Sequence, residues 1–382
     1  MDFKKLLQFM VEKEGSDLYI SVGTPPSMKV DGKLGRIGKE DIQAEDTEGF
    51  LDELLTDYQK RQFEEQYELN LALAYPDLGR FRTNIFRQRG TVGFVIRRIK
   101  DEIPSFEDLN LPEQVRDIIM ASRGMVLVVG ATGSGKSTSL ASMIDYRNRN
   151  FADHIITVED PIEFVHDHQK SVVNQREIGM DTHTWTSALE NTLRQAPDVI
   201  LVGEVRSAEV MDHVVAFADT GHLAITTLHS NNANQALERI VNFFSEERHN
   251  QVLMDLALNL KAVVSQRLIP RADGEGRVAA GEGMYNSPTV ADLISQAKFG
   301  AIKEVMEDSR DEGMQSFDQA LIDLYKQGSI TADEAMAHAD SVNDVRLAIK
   351  MTKIESGDSS AETADYQIDD GPTQYSGGPQ RM

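Results

Sequence analysis

The sequence predicts an α/β protein, a phosphate-binding-loop domain preceded by a smaller α+β unit and followed by a helical region. Three observations carry that reading. Gly130-Ala131-Thr132-Gly133-Ser134-Gly135-Lys136-Ser137 is a complete G-x-x-x-x-G-K-[ST] loop. Apolar runs then alternate with helical stretches, as parallel strands covered by helices do. Ahead of the loop, short alternating strands separated by turn residues fit an antiparallel sheet.

In chain order, residues 1–14 place Phe3, Leu6, Leu7 and Met10 at i, i+3, i+4 and i+7, an amphipathic helix and not the continuous apolar segment of a signal sequence. Residues 17–22 alternate like a half-buried strand. Met28-Lys29-Val30 and Lys33-Leu34 flank the turn pair Asp31-Gly32, so a hairpin follows. Residues 48–67 read as one helix with Phe50, Leu51, Leu54 and Leu55 on one side. Residues 69–74, 80–87 and 91–99 read as three strands, divided by Tyr75-Pro76-Asp77-Leu78-Gly79 and Gln88-Arg89-Gly90. Residues 1–100 are therefore expected to form an α+β domain, and residues 101–112, with Pro104 and Pro112, a linker.

From residue 113 the pattern changes. Met125-Val126-Leu127-Val128-Val129 is a buried strand leading into the loop, and 137–148 is a helix leading out. Further strands are expected at 154–158, 199–202 and 223–228, with helices at 184–194, 207–218 and 231–244. The tryptophan, Trp185, shares a helical face with Ala188, Leu189, Thr192 and Leu193, which places it in the core. Arg267-Leu268-Ile269 and Gly276-Arg277-Val278-Ala279-Ala280 suggest a short hairpin closing the loop-bearing domain at 113–288. Four or five modest helices follow over 289–355. Residues 356–382, rich in Gly, Ser, Asp, Pro and Gln, are expected to be disordered.

At 382 residues the chain is long enough for two or three domains. With 39 Lys and Arg against 62 Asp and Glu, its formal charge of −23 opposes adhesion to nucleic acid or an anionic leaflet. The absence of cysteine excludes disulfides, thiolate zinc sites and cysteine nucleophiles. No apolar run approaches the ~18 residues of a membrane span, so a cytoplasmic protein is expected.

Within the loop, Gly133 and Gly135 let backbone N–H groups approach a phosphate chain, Lys136 adds charge at its outer phosphates, and the Ser137 hydroxyl suits Mg²⁺. Ligands of such domains lie at the carboxyl ends of the strands, where the acids Glu159, Asp160 and Glu163 follow one apolar run and Glu204 follows another. One carboxylate to orient water and one to hold the metal's water shell is what hydrolysis needs. His222 and His229 flank the strand 223–228, about 23 Å apart along it, too far to share one ion. His229, at the carboxyl end, is positioned to feel a γ-phosphate, whereas His222 is as readily structural. Arg80 and Arg82 lie on one strand face, about 6.6 Å apart, where guanidinium groups suit phosphate oxygens.

Taken together, Gly-Ala-Thr-Gly-Ser-Gly-Lys-Ser-Thr at 130–138, Thr-Val-Glu-Asp-Pro-Ile-Glu-Phe at 157–164, Asp-Val-Ile-Leu-Val-Gly-Glu at 198–204 and Thr-Gly-His-Leu-Ala-Ile-Thr-Thr-Leu-His at 220–229 resemble the Walker A, Asp-box, Walker B and His-box motifs of secretion and pilus ATPases. Ser16-Asp17-Leu18-Tyr19, Pro25-Pro26 and Val30-Asp31-Gly32 resemble the start of the PilT/PilU family of type IV pilus retraction ATPases. The chain lacks the four-cysteine zinc loop of assembly-type relatives. The segments 313–321 and 340–347, and Thr289-Val290-Ala291-Asp292-Leu293-Ile294 where an Ala-Ile-Arg signature stands in PilT proper, resemble the PilU-like branch.

The resemblance implies a PAS-like amino-terminal domain, a RecA-like ATPase domain and a hexameric ring that powers or assists pilus retraction and twitching motility. It implies ATP and Mg²⁺ as cofactors, with residues 130–138 binding nucleotide and Ser137 and Glu204 serving the metal, partly through water. Glu163 would be the catalytic glutamate, Glu204 the Walker B acid and His229 a nucleotide sensor. Arg80, Arg82 and Arg97 would reach a neighbouring subunit's ATP. Implied partners are a PilT-type ATPase, in a mixed ring or stack, and an inner-membrane platform protein at whose cytoplasmic face the motor sits. The rival readings are a nucleotide-gated adaptor ring with little hydrolysis, and a secretion-type or nucleic-acid translocase, which the −23 charge disfavours.

Overall fold

The computed structural model describes residues 1–355 apart from 31, 100, 101, 110 and 113. The first residue of the expected Asp31-Gly32 turn, parts of the expected linker, and the 356–382 segment expected to be disordered lie outside the described residues. The chain divides into two compact units, one formed by residues 1–268 and 281–316, the other by residues 269–280 and 317 onward.

The first unit opens with α1 (Phe3–Glu12), β1 (Asp17–Ile20), β2 (Ser27–Val30), β3 (Lys33–Arg36), α2 (Ala44–Leu54), α3 (Asp57–Gln66), β4 (Glu68–Tyr75), β5 (Gly79–Gln88) and β6 (Thr91–Ile99). The six strands form one sheet in the order β3-β2-β1-β6-β5-β4, every pair antiparallel. Apolar side chains of α1, α2 and the sheet meet in a common core, where Phe3, Phe50 and Phe94 pack with ring centroids 5.3–6.1 Å apart. Burying each such ring contributes roughly 1.5–3 kcal/mol. The single helix expected over 48–67 is two helices. Leu55 is extended, and Thr56 caps α3 by exchanging hydrogen bonds with Gln59. That reciprocal T-x-x-Q box starts a new helix whatever the composition on either side.

Next come α4 (Val115–Ile119), β7 (Gly124–Val129), α5 (Lys136–Asn150), β8 (His154–Glu159), β9 (Val172–Glu177), α6 (Trp185–Thr192), β10 (Val199–Val202), α7 (Ala208–Asp219), β11 (Leu223–Leu228), α8 (Ala233–Asn242), α9 (His249–Asn259), β12 (Leu260–Pro270) and β13 (Arg277–Tyr285). The seven strands run β13-β12-β7-β11-β10-β8-β9, with β12 to β9 parallel throughout. Alternate residues of one strand feed two cores. Met125, Leu127 and Val129 enter the core containing α7, α8 and α9, whereas Val126 and Val128 enter the core containing α5. Strands buried on both faces read as continuous apolar runs, which is why β7, β10 and β11 are plain in the sequence.

Three elements had no sequence signal strong enough to be expected, α4, β9 and α9. The short hairpin expected at 267–280 is instead two long strands, because Leu260 to Ser265 pair with the central strand β7. Phe106 and Leu111 of the expected linker are buried in the core below α5. Trp185 is partly buried against the upper core, as expected, although Leu193 remains exposed.

Five helices follow over 289–355: α10 (Pro288–Ser295), α11 (Ile302–Asp308), α12 (Phe317–Lys326), α13 (Ala332–Ala337) and α14 (Val342–Glu355). Val290, Ile294, Ile302 and Met306 of α10 and α11 complete the upper core of the first unit. The second unit has a core of its own, in which Phe317, Leu321, Leu324, Ala335, Val345 and Ile349 of α12–α14 enclose Ile269 and Ala280.

Candidate active site

The turn from β7 into α5 is fixed by close backbone approach. A Cβ at Gly130 would stand 2.6 Å from the Gln266 carbonyl oxygen, and Gly135, with φ of 91°, takes a conformation that side chains disfavour. Ala131, Thr132, Gly133 and Ser137 are exposed around this turn, and α5 begins at Lys136, so the positive end of a fifteen-residue helix faces the loop. Gln266 on β12 supports the turn from behind, accepting from the Ser139 hydroxyl at 2.6 Å.

Lys136 is buried, and its ammonium donates to the carbonyls of Gly130 (2.7 Å) and Ala131 (3.0 Å) and to His229 Nδ1 (3.3 Å). Burial pulls its pKa below the ordinary lysine value, and the charge of Glu204 opposes that shift. His229 Nε2 lies 3.2 Å from Glu204 Oε1, and Arg206 donates to Glu204 Oε2 at 2.7 Å. An ammonium can only donate, so Nδ1 accepts and the imidazole carries its proton on Nε2, which donates to Glu204. Strand register creates this row. Leu228 stands beside Val129 and Thr226 beside Val202, which brings the residues following β7, β10 and β11 to one level. Thr226 and Thr227 fasten the end of β10 by donating to the Val202 and Gly203 carbonyls at 2.7 and 2.6 Å.

On the other side of the helix start lies a cavity of about 960 Å³, lined by Ser137 and Thr138, by Glu163, and by Arg82, Arg97 and Arg149 among others. Glu163 follows the β8 end, where Glu159 Oε1 accepts from Thr157 Oγ1 (2.6 Å) and Gln175 Nε2 (3.2 Å). Burial, strengthened by the nearby charges of Glu163 and Glu177, pushes the Glu159 carboxyl up to about 7. Glu177 on β9 is raised by burial too, against the Ile162 N–H it accepts from and the charges of Arg80 and Arg82.

The expected residues thus fall into two groups. Lys136, Glu204 and His229 touch in a row, and Ser137, Thr138, Glu163, Arg82 and Arg97 share a cavity within one chain. Arg80 acts on Glu177 rather than lining that cavity. Arg97 is also bonded through Nε to the buried Asp17 at 2.8 Å. His222 stands apart, its Nδ1 3.1 Å from Thr220 Oγ1 and 3.2 Å from the Phe217 carbonyl at the end of α7. Sequence reasoning missed Asp17, Glu177, Arg206 and Gln266. Of these, Asp17 lay within the quoted Ser16-Asp17-Leu18-Tyr19 segment and Arg206 two residues beyond Glu204, whereas Glu177 and Gln266 stood in no motif.

The glycine turn, an ammonium held by neutral acceptors at a helix start, and an acid beside it at the strand ends define a RecA-like phosphate-binding-loop ATPase. The family described as Type II/IV secretion system protein matches residues 65–339, and the chain belongs to that family. The Type IV pilus ATPase PilU of Pseudomonas aeruginosa is 55% identical over 351 residues, covering 92% of each chain. The Type IV pilus retractation ATPase PilT of the same organism is 39% identical over 339 residues, 89% of this chain and 98% of its own. The crystal structure of the pilus retraction motor PilT with bound ADP superposes with a TM-score of 0.85 at 37% identity, covering 91% of this chain and 99% of that one. These likenesses place the chain in the PilT/PilU family of pilus ATPases.

Among the described residues no group of three or more His, Asp or Glu side chains could hold a metal ion by itself. No described helix is long and apolar enough to cross a membrane.

Proposed function

We propose that this chain is an ATP-hydrolysing subunit of a motor that powers or assists type IV pilus retraction, and with it twitching motility. The observation that carries the reading is the row Lys136–His229–Glu204, which joins the phosphate-binding lysine to the Walker B acid at the strand ends. Residues 130–138 hold the phosphates of ATP. Lys136 exchanges its two carbonyl acceptors and His229 for phosphate oxygens, a gain because its desolvated charge faces no carboxylate directly. Ser137 and Glu204 are the residues that would hold Mg²⁺, which would supply positive charge against the outer phosphates. Glu163, facing the cavity beside Ser137, orients the attacking water and takes its proton. Arg82 and Arg97 line that same cavity, which supports their acting on their own chain's nucleotide rather than a neighbour's.

The wider assignment follows from the resemblance of the sequence motifs to the pilus ATPases. It is a hexameric ring, or a mixed assembly with a PilT-type ATPase, working against a pilus platform protein at the cytoplasmic face of the inner membrane. The test is turnover by the purified chain and by Lys136→Ala, with ring size from native mass spectrometry. Wild type should hydrolyse ATP and the variant should not. A variant retaining more than about a tenth of wild-type turnover would remove the lysine from its role.

A further inference from the structure

Helix α14 has two apolar faces. Val345 and Ile349 enter the core of the second unit, but Leu347, Met351 and Ile354 stand 59%, 57% and 65% exposed. Their i, i+4, i+7 spacing makes them one continuous stripe along the outer side. The segment from Arg346 to Ile354 contains Arg346, Lys350 and Lys353 and no acid, in a chain of net charge −23. A stripe of apolar side chains with cations beside it fits an acidic segment that carries apolar side chains of its own.

We propose that this face is the docking site for the chain's own residues 364–370, Ala-Asp-Tyr-Gln-Ile-Asp-Asp. Between residues 356 and 370 there are five acids, Asp358, Glu362, Asp365, Asp369 and Asp370, and no base. Tyr366 and Ile368 lie within the last three of those acids, so apolar contacts to Leu347 and Met351 and charge contacts to Arg346 form together. Chain length permits it. The thirteen residues from Glu355 to Ile368 span at most about 45 Å, while the stripe back to Leu347 is about 12 Å long. A tether of that length holds the segment at an effective concentration near the millimolar range, so even a weak contact is substantially formed. An anionic lipid surface also suits a cationic amphipathic face, but the net charge of the chain opposes its approach.

The chain contains no cysteine, so an introduced pair is unique. Full-length Met351→Cys/Ile368→Cys is compared with full-length Met351→Cys/Gly378→Cys, whose longer tether provides the rate of random encounter. Disulfide formation within a chain, followed by mobility on non-reducing gels and by mass spectrometry, should be at least about tenfold faster for the first pair. The excess should vanish in 1 M NaCl, where charges are screened beyond about 3 Å. It should also vanish with Asp365→Asn/Asp369→Asn/Asp370→Asn in the same background. Equal rates for the two pairs overturn the proposal, as do disulfides formed chiefly between chains. Co-sedimentation with phosphatidylglycerol vesicles at the expense of the disulfide within the chain does so as well.

Discussion

Replacing His229 by Ala removes both contacts of the imidazole, the one to Lys136 at 3.3 Å and the one to Glu204 at 3.2 Å. The two losses act on different steps. The lysine contact exists when the phosphate site is empty and competes with nucleotide, so its loss leaves ADP affinity unchanged or slightly improved. The glutamate contact holds the acid proposed to serve Mg²⁺, so its loss should act on turnover. A hydrogen bond to a charged group contributes about 1.5–3 kcal/mol when fully buried. The His229 side chain is 36% exposed and that of Glu204 18%, and solvent brings the contribution down to about 1–1.5 kcal/mol. The expected result is a fall of about 5- to 13-fold in kcat with the dissociation constant for ADP within about twofold of wild type. His229→Gln, whose amide can still donate to Glu204, should recover part of the rate. Steady-state ATPase assays and titration calorimetry with ADP measure the two quantities. Unchanged kcat with ADP binding weakened tenfold would refute the reasoning, since His229 would then be a nucleotide ligand and not a positioning residue for Glu204.

Other consequences can be checked on the same protein. Glu163→Gln should bind Mg-ATP normally and lose hydrolysis, and calorimetry showing lost affinity with hydrolysis retained would contradict its place beside the reacting phosphate. If, as proposed, Arg82 acts on its own chain's nucleotide, Arg80→Ala/Arg82→Ala subunits mixed with Lys136→Ala subunits should recover no ATPase activity in rings shown by native mass spectrometry to be mixed; recovery would assign the arginines to the neighbour's nucleotide. Glu159 has a folded pKa of about 7 against an ordinary 4.5, so the folded state binds the extra proton in between. Stability from this group is therefore complete below pH 4.5 and is lost as pH rises to about 7. Glu159→Gln should raise stability at pH 8 relative to pH 5 by about 1–2 kcal/mol, discounted for partial exposure, and equal melting shifts at the two pH values would count against the buried carboxyl.

By itself the sequence determined those parts of the site that are local. The glycine loop needs glycines at fixed offsets and a strand and helix on either side, and all of that is contiguous between Met125 and Asn148. The apolar runs of β7, β10 and β11 are legible because both sheet faces are buried, and each ends in its functional residue. Even the break before α3 was written in Thr56 and Gln59, although the helical composition around it hid the cap. Tertiary structure alone decided which of these pieces meet. Lys136 and His229 are 93 residues apart and come together only because β7 and β11 are neighbours in register. Arg97 finds Asp17 across 80 residues because β1 and β6 pair antiparallel with those two residues opposite each other. Which strands pair, and in what register, depends on the joint burial of many side chains, and no local window contains it.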